Sequence, residues 1–307
     1  MPNDASRRAA LALCGGAVVA ARAAAAPAPS PGAGGLFKDR WDETLAYLKL
    51  RARADNGDAW YWFSGAIDLM PVGAKGVTLV NVDCLNLRRV RRRDDRTFAI
   101  TMWEGAVFTD PATGQIAERI LNPLNGRMVE PMHYREGPTE FIADQAGFRV
   151  LPRENASPLG ASSFDFTWTV GGGHVWVERG QQFDMPNPLT PEAWPLESSG
   201  PRLYGANSST LHGLWADVMD PAQPMPPADM VFTSSSGWFP WMLMGQRPGS
   251  VLYRAKGPRL RSLDEAPQRV RQLVEAKHPE LFRPVPWSEK YGGVIVDHLR
   301  QRKPATP

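Results

Sequence analysis

The pattern of apolar and polar positions along the chain begins with a helical period and then changes to strands. Trp41, Leu45 and Leu48 are spaced i, i+4 and i+7, which predicts a helix over residues 39–52 that ends at Asn56-Gly57. Segments rich in β-branched and aromatic residues are predicted as strands at 60–63, 77–90, 97–108, 115–121, 164–170, 174–183, 203–218, 230–235 and 250–255. One further helix is predicted at 266–277.

The connections between these strands are short, and the turns at 91–96 and 110–114 are rich in charged residues, Pro or Gly. Short connections join antiparallel strands, and the chain shows no βαβ alternation. We therefore predict a mainly β fold, a large antiparallel β-barrel or curled sheet of lipocalin type with flanking N- and C-terminal helices. Barrels of this kind often hold a small ligand.

The first residues have the pattern of an export signal. Arg7 and Arg8 precede an apolar run at 9–21, and the alanines at 23–26 offer cleavage sites. The Ser-Arg-Arg sequence before Leu11 resembles a twin-arginine signal, although Ala10 replaces its usual Phe. We predict a signal peptide over 1–26, a linker over 27–35 and a periplasmic or secreted mature protein with no membrane span.

Composition narrows the function classes. With 307 residues, 22% charged, the chain is neither a disordered segment nor a coiled coil. The formal net charge of +3 gives no support to nucleic-acid binding, and the basic run at 88–96 suits a solvated hairpin edge. Nucleotide-binding loops, nucleophile elbows and zinc motifs are absent from the sequence, so we predict no cofactor and no metal site.

Several short motifs resemble an uncharacterised family, domain of unknown function 1838. The motifs are Trp-Tyr-Trp at 60–62, Asn-Leu-Arg-Arg-Val at 86–90, Asn-Pro-Leu-Asn-Gly at 122–126, Pro-Asn-Pro-Leu at 186–189, Trp-Pro-Leu-Glu-Ser at 194–198, the segment at 238–249, and Ser-Leu-Asp-Glu at 262–265. The resemblance covers most of the chain after the linker. It implies a single β-rich domain over 36–307, and it implies no activity.

The segment at 238–249 combines aromatic and polar residues around Pro and Gly. Arg247 could bind an anionic group, Gln246 could add a hydrogen bond, and Trp238 or Trp241 could stack on a flat ligand. The alternative for each residue is a structural role in the core. Trp60 and Trp62 extend the same hypothesis of an aromatic ligand pocket.

His133 is the candidate general acid or base, with Glu104 or Glu130 to orient it. Its alternative is a hydrogen-bonded strand histidine, and His212 is the second candidate. Asn86 and Arg88 alternate with leucines, so both should face one side of a strand, which could be the barrel interior.

These residues lead to two functional hypotheses. The first is an enzyme that acts on a small, partly apolar organic molecule by acid/base chemistry without a nucleotide cofactor. His133, Arg247 and Arg88 would then be catalytic, with substrate-binding side chains at Trp60, Trp62, Asn86, Asn122, Asn187, Trp238, Trp241 and Gln246. The alternative is a lipocalin-like carrier of an apolar metabolite. His133 or His212 paired with a carboxylate in the pocket would favour the enzyme, and a dry apolar cavity would favour the carrier.

Overall fold

A computed structural model describes residues 35–151, 166–289, 291–292 and 294–305. The predicted signal peptide at 1–26 lies outside the described residues, as does the predicted linker at 27–35 except for its last position. The helices are α1 (Arg40–Arg51), α2 (Trp215–Met219), α3 (Gln268–Lys277) and α4 (Val294–Gln301). The strands are β1 (Gly57–Pro71), β2 (Val77–Asp94), β3 (Thr97–Thr109), β4 (Ile120–Leu121), β5 (Met128–Val129), β6 (Arg135–Asp144), β7 (Gly147–Val150), β8 (Thr167–Gly171), β9 (His174–Pro186), β10 (Arg202–Leu214), β11 (Asp229–Ser236), β12 (Gly249–Leu260) and β13 (Tyr291–Gly292).

One antiparallel sheet dominates the described part of the chain. Its order is β13-β6-β3-β2-β1-β12-β11-β10-β9-β8, with β7 paired to β6, and β4 and β5 form a separate pair. The sheet curls into a half barrel, which confirms the predicted curled antiparallel sheet. Close approach of β1 and β12 requires glycine, because a Cβ at Gly65 or Gly257 would lie 1.8 Å from a backbone oxygen of the other strand.

Helix α1 bridges the two ends of the curled sheet. Asp39 caps its first turn by accepting a hydrogen bond from the Asp42 amide at 3.0 Å, and the helix confirms the prediction for 39–52. The Tyr47 ring lies 5.0 Å from Phe148 on β7 and 4.0 Å from Phe166, beside β8. Since β7 and β8 lie at opposite ends of the strand order, α1 closes the gap between them.

Buried donors on the sheet satisfy the carbonyl end of α1. The Tyr61 hydroxyl donates to the Leu50 carbonyl at 2.5 Å, and Arg88 Nη1 donates to the Arg51 carbonyl. Arg259 Nη1 donates to the Lys49 and Ala52 carbonyls, the latter at 2.6 Å. Cations at this end also suit the negative pole of the helix dipole, so these contacts fix α1 over the interior.

Side chains along β1 alternate between two apolar layers. Tyr61 and Phe63 belong to the interior cluster inside the curl. Trp60 belongs to an outer cluster, where Val270 and Val274 of α3 cover β2 and β3. Both faces of the central strands are therefore buried, one around the interior and one beneath α3.

The structure corrects the predicted strand at 115–121. Only Ile120–Leu121 forms a strand there, apart from an isolated bridge between Thr109 and Ile116. The Ala117 amide donates to the Phe108 carbonyl and the Glu118 amide to the Ile116 carbonyl, so the chain turns instead of running extended. The predicted strand at 203–218 likewise ends at Leu214, where α2 follows.

Strands β6 and β7 were not predicted, because Gly137-Pro138 interrupts the alternating pattern of β6. The C-terminal helix α4 was not predicted either. Among the described residues, no helix has both the length and the apolar character needed to cross a membrane.

Candidate functional site

The concave face of the sheet encloses a cavity of about 200 Å³. Much of its wall is apolar and comes from β1, β2, β3 and β9 to β12. The apolar lining includes Phe63, Ile67, Met102, Phe108, Phe183, Met230, Phe232 and Phe239. Polar groups of the lining come from α1 and from most strands, and those on β2, β3 and the end of α1 include a carboxyl group, an amide and two guanidinium groups.

A carboxyl group and an amide face each other across β2 and β3. Asn86 pairs with Glu104 in the strand register, and Asn86 Nδ2 donates to Glu104 Oε2 at 2.6 Å. The Cys84 thiol also hydrogen-bonds to this carboxyl group. Burial raises the pKa of Glu104, although hydrogen bonding to Asn86 and the charge of Arg88 oppose the shift. A raised carboxyl pKa is a property of side chains that exchange protons near neutral pH.

Arg88 lies beside this pair on the same face of β2. It is 2% exposed, and its guanidinium lies 4.5 Å from the centroid of the Tyr61 ring. Its Nη1 caps α1, but its Nε has no hydrogen-bond partner, and neither has Asn86 Oδ1. Burial, followed by the nearby charge of Arg51, lowers the pKa of Arg88 to about 9. Both atoms are closed to solvent in this conformation, so they are unsatisfied polar groups beside the cavity rather than exposed ligand contacts.

Further titratable groups complete the lining. Arg51 and Arg179 line the cavity together with Glu136 and Tyr253. Glu136 accepts a hydrogen bond from the Tyr134 hydroxyl at 2.5 Å and from Thr139 at 3.2 Å. Burial raises the pKa of Tyr253 well above its usual value, so this side chain remains a neutral phenol. Glu136 is thus held by hydroxyl donors, whereas Glu104 faces groups with unused hydrogen-bonding capacity.

His133 does not belong to the cavity lining. The Phe108 amide donates to its Nδ1 at 3.1 Å, so this nitrogen acts as a structural acceptor. Burial, followed by the charge of Lys277, lowers the pKa of His133 to about 4, and the ring is neutral at physiological pH. Glu130, one predicted partner, forms an ion pair with Arg302 at 3.5 Å. The structure thus places the predicted acid/base residue apart from the site.

The second predicted histidine also lies elsewhere. His212 has the opposite strand parity to Asn207 and Ser209, which line the cavity, so it points to the outer face. There His212 Nε2 hydrogen-bonds to His174 Nδ1 at 2.9 Å, and its Nδ1 lies 3.9 Å from Asp229. No serine nucleophile is paired with it among the described contacts.

The two predicted aromatic wall residues of β1 lie on its outer face. Trp60 is 8% exposed and lies in the outer cluster beneath α3. Trp62 shares this strand parity, and its Nε1 donates to Asp83 at 3.5 Å in a groove on the outer face. Phe63, one residue further along β1, lines the cavity instead.

The two Asn-Pro-Leu motifs form the same local structure. The Leu124 amide donates to Asn122 Oδ1 at 3.0 Å, and the Leu189 amide donates to Asn187 Oδ1 at 2.9 Å. Each side-chain amide then donates to a backbone carbonyl, Asn122 to Met242 at 2.9 Å and Asn187 to Gly200 at 2.7 Å. Both asparagines are buried and tie loops together, and neither lines the cavity.

Apart from Phe239, which lines the cavity, the segment at 238–249 packs behind it. Trp238 donates from Nε1 to the Arg247 carbonyl at 2.6 Å, and both Trp238 and Trp241 belong to the interior cluster. The Trp241 ring lies 6.0 Å from Phe108 and 6.3 Å from Phe239, so it supports two residues of the cavity wall. Gln246 and Arg247 are exposed, and Arg247 Nη1 donates to the Leu124 carbonyl.

Of the predicted site residues, the structure brings Asn86 and Arg88 together in the cavity. Glu104 was considered only as a partner for His133, and Arg51, Arg179 and Tyr253 were not considered. Counting back from the predicted turn at 91–96 would place Asn86 opposite Thr101, so the sequence contained no usable signal for Glu104. The observed turn lies at 95–96, and a register shift between Arg92 and Asp94 brings Asn86 opposite Glu104. Among the described residues, no group of three or more His, Cys, Asp or Glu side chains is arranged to hold a metal ion.

Comparison with known proteins agrees with the resemblance found in the motifs. The family model described as "Protein of unknown function (DUF1838)" matches residues 56–291. A search of curated proteins finds no match. The match spans β1 to β13. It includes every residue that lines the cavity except Arg51, which lies on α1.

Proposed function

The chain belongs to the DUF1838 family, and we propose that its cavity is the active site of an enzyme that acts by proton transfer on a small, partly apolar organic molecule. The observation that carries this proposal is the Glu104 carboxyl group at the cavity wall. Burial raises its pKa, it accepts a hydrogen bond from Asn86 Nδ2, and it lines the cavity together with Arg88. Isomerisation, elimination and hydrolysis are reactions of this class.

Glu104 serves as the acid/base residue in this proposal. Its carboxylate takes a proton from the substrate and returns it to another atom of the substrate, so no oxidant or reductant is consumed. The raised pKa strengthens the affinity of the carboxylate for the proton that it takes. The neutral Tyr253 phenol can donate a hydrogen bond to negative charge that develops on the substrate.

The experiment is a substrate screen in D₂O, read by NMR. A panel of small ketones, enones and aryl esters is incubated with the wild-type protein, with Glu104→Gln and with Glu197→Gln. Glu197 is a suitable control because it is a buried carboxylate, 3% exposed, that lies outside the cavity lining. We expect deuterium incorporation or product formation with the wild type and Glu197→Gln, and its loss with Glu104→Gln. Equal turnover by Glu104→Gln would reject the proposed role.

A carrier function is the second candidate, and the apolar wall formed by Phe63, Phe108 and Phe232 favours it. The two functions differ in what remains bound after purification. Native mass spectrometry, compared with the denatured mass, would show a retained organic ligand for a carrier. An enzyme that releases its product would show the polypeptide mass alone.

We also propose that the protein is exported. The support is the Arg7-Arg8 pair before an apolar run and the alanine-rich segment that follows it. Fractionation of the producing cell tests this, with Arg7→Lys/Arg8→Lys as the variant that should remain in the cytoplasm. An unchanged distribution of the variant would contradict twin-arginine export.

A further inference from the structure

Two buried guanidinium groups lie at the α1 end of the cavity. Arg51 and Arg88 both line it and are 8% and 2% exposed. Arg51 makes only weak polar contacts among those described, to the Met230 sulfur at 3.9 Å and to the Phe141 ring, whose centroid lies 6.0 Å away. Arg88 donates from Nη1 to a backbone carbonyl, and its Nε donates to nothing. In the described part of the chain, no carboxylate forms an ion pair with either group.

This arrangement carries an electrostatic cost that the nearby Glu104 carboxyl group only partly offsets. Buried charges of the same sign repel each other, and burial removes the water that would screen them. The charge of Arg51 accordingly contributes to the lowered pKa of Arg88. An oxyanion placed between the two guanidinium groups would neutralise part of the repulsion.

The rest of the cavity defines the body of the ligand. Its volume of about 200 Å³ corresponds to about seven water molecules, which suits a small organic molecule. The wall away from the arginines is largely aromatic and aliphatic, including Phe63, Phe108 and Phe232. Glu104 and Glu136 also line the cavity, and their carboxyl groups disfavour a ligand with several negative charges.

We propose that the cavity binds a small apolar monocarboxylate, whose carboxylate group lies between Arg51 and Arg88 and whose apolar body contacts the phenylalanine wall. This inference rests on the proposed function in one respect, because it takes the carboxylate to belong to the molecule on which Glu104 acts. It identifies the substrate class as organic acids, and it assigns Arg51 and Arg88 to binding the carboxylate.

The test compares acids with neutral molecules of the same shape. Benzoate, phenylacetate, cinnamate and hexanoate are titrated into the full-length protein by calorimetry, each against its primary amide. We expect at least one acid to bind about tenfold or more tightly than its amide, since a hydrogen bond to a charged group discriminates by this order. Equal binding of acid and amide, or no saturable binding of any acid up to about 10 mM, would overturn the proposal.

Arg259 provides a matched control for Arg88. Both side chains are buried and donate to the carbonyl end of α1, but only Arg88 lines the cavity. Arg88→Met should therefore reduce the acid-to-amide ratio to near one, while Arg259→Met should preserve it even if the fold is less stable. If Arg88→Met does not fold, Arg51→Met tests the same point, because it removes no hydrogen bond to α1. It should likewise reduce the acid-to-amide ratio to near one. If Arg51→Met and Arg88→Met both kept the acid-to-amide ratio of the wild type, the proposal would be overturned.

Glu104→Gln separates this inference from the proposed function. The variant should retain preference for the acid, because Arg51 and Arg88 are unchanged, while it loses proton transfer. Acid preference without proton transfer in the wild type would refute the enzyme and leave carboxylate binding in place. Proton transfer with no acid preference would refute carboxylate binding and leave the enzyme in place.

Discussion

The cavity wall on β2 and β3 differs from the segment at 238–249 in what its polar groups contact. On the strands, backbone hydrogen bonds are satisfied by neighbouring strands, so Asn86 and Arg88 retain side-chain atoms without protein partners. In the irregular segment, several backbone carbonyls accept hydrogen bonds from side chains, although Trp241 Nε1 has no partner among the described residues. Trp238 donates to the Arg247 carbonyl, and Asn122 donates to the Met242 carbonyl.

The difference shows where a ligand site can form in this fold. An irregular buried loop exposes many backbone carbonyls, and nearby polar side chains are needed to satisfy them. A regular strand satisfies its own backbone, so a polar side chain on its buried face is available for other partners. We therefore expect variants of the strand residues to change ligand binding or proton transfer, and variants of the loop residues to change the free energy of unfolding.

The largest expected effect is that of Glu104→Gln. Removing a general acid/base group should reduce the rate of proton transfer by about 100-fold or more. Folding raises the pKa of Glu104, so the folded protein binds this proton more tightly than the unfolded chain does. The stability that proton binding contributes is lost as pH rises through the folded pKa. The neutral amide avoids this loss, and the melting temperature at pH 7 should not fall. A variant with reduced activity because of unfolding would contradict this interpretation.

Asn122→Ala is expected to act on stability. It removes the donor to the Met242 carbonyl and the acceptor of the Leu124 amide, both buried or partly buried. We expect the free energy of unfolding to fall by about 2 kcal/mol, measured by urea denaturation, with the acid-to-amide binding ratio unchanged. Gln246→Ala is the control, since this exposed side chain should shift stability by no more than about 0.5 kcal/mol. A change in the binding ratio would place Asn122 in the site.

His133→Asn tests the predicted acid/base histidine. The lowered pKa of about 4 means that the unfolded chain binds the proton first as pH falls. The wild type should therefore lose stability between about pH 6.5 and pH 4, and this contribution amounts to about 1.4 kcal/mol per pH unit. His133→Asn lacks this titrating group, so its stability should fall less steeply over this pH range. Its rate of proton transfer should equal that of the wild type. A loss of that rate would restore His133 to the mechanism.

The smallest effect is expected for Arg247→Gln. The side chain is exposed, and its contact is one hydrogen bond to the Leu124 carbonyl. We expect the free energy of unfolding to change by less than about 1 kcal/mol, with carboxylate preference intact. Loss of acid preference in calorimetry would show that Arg247 serves the ligand after all.

The strands of the half barrel were largely predictable, but the assignment of side chains to its two faces was not. The run of four aromatic residues at 60–63 alternates sides, and sequence alone gives no sign of which two face inward. The wall was predicted from Trp60 and Trp62, and the structure places Phe63 there. Asn86 and Arg88 were placed on one face correctly because alternating leucines marked the other face.

Sequence by itself determined the antiparallel strand pattern, helix α1 and the shared face of Asn86 and Arg88, because these depend on spacing between near neighbours. The family match agrees with motifs that are also local. Only the tertiary structure decided that Glu104 lies opposite Asn86 in a cavity, that α1 closes the curled sheet, and that His133 bonds to the Phe108 amide. These facts depend on strand register and on the direction in which the sheet curls, which bring together residues far apart in the chain.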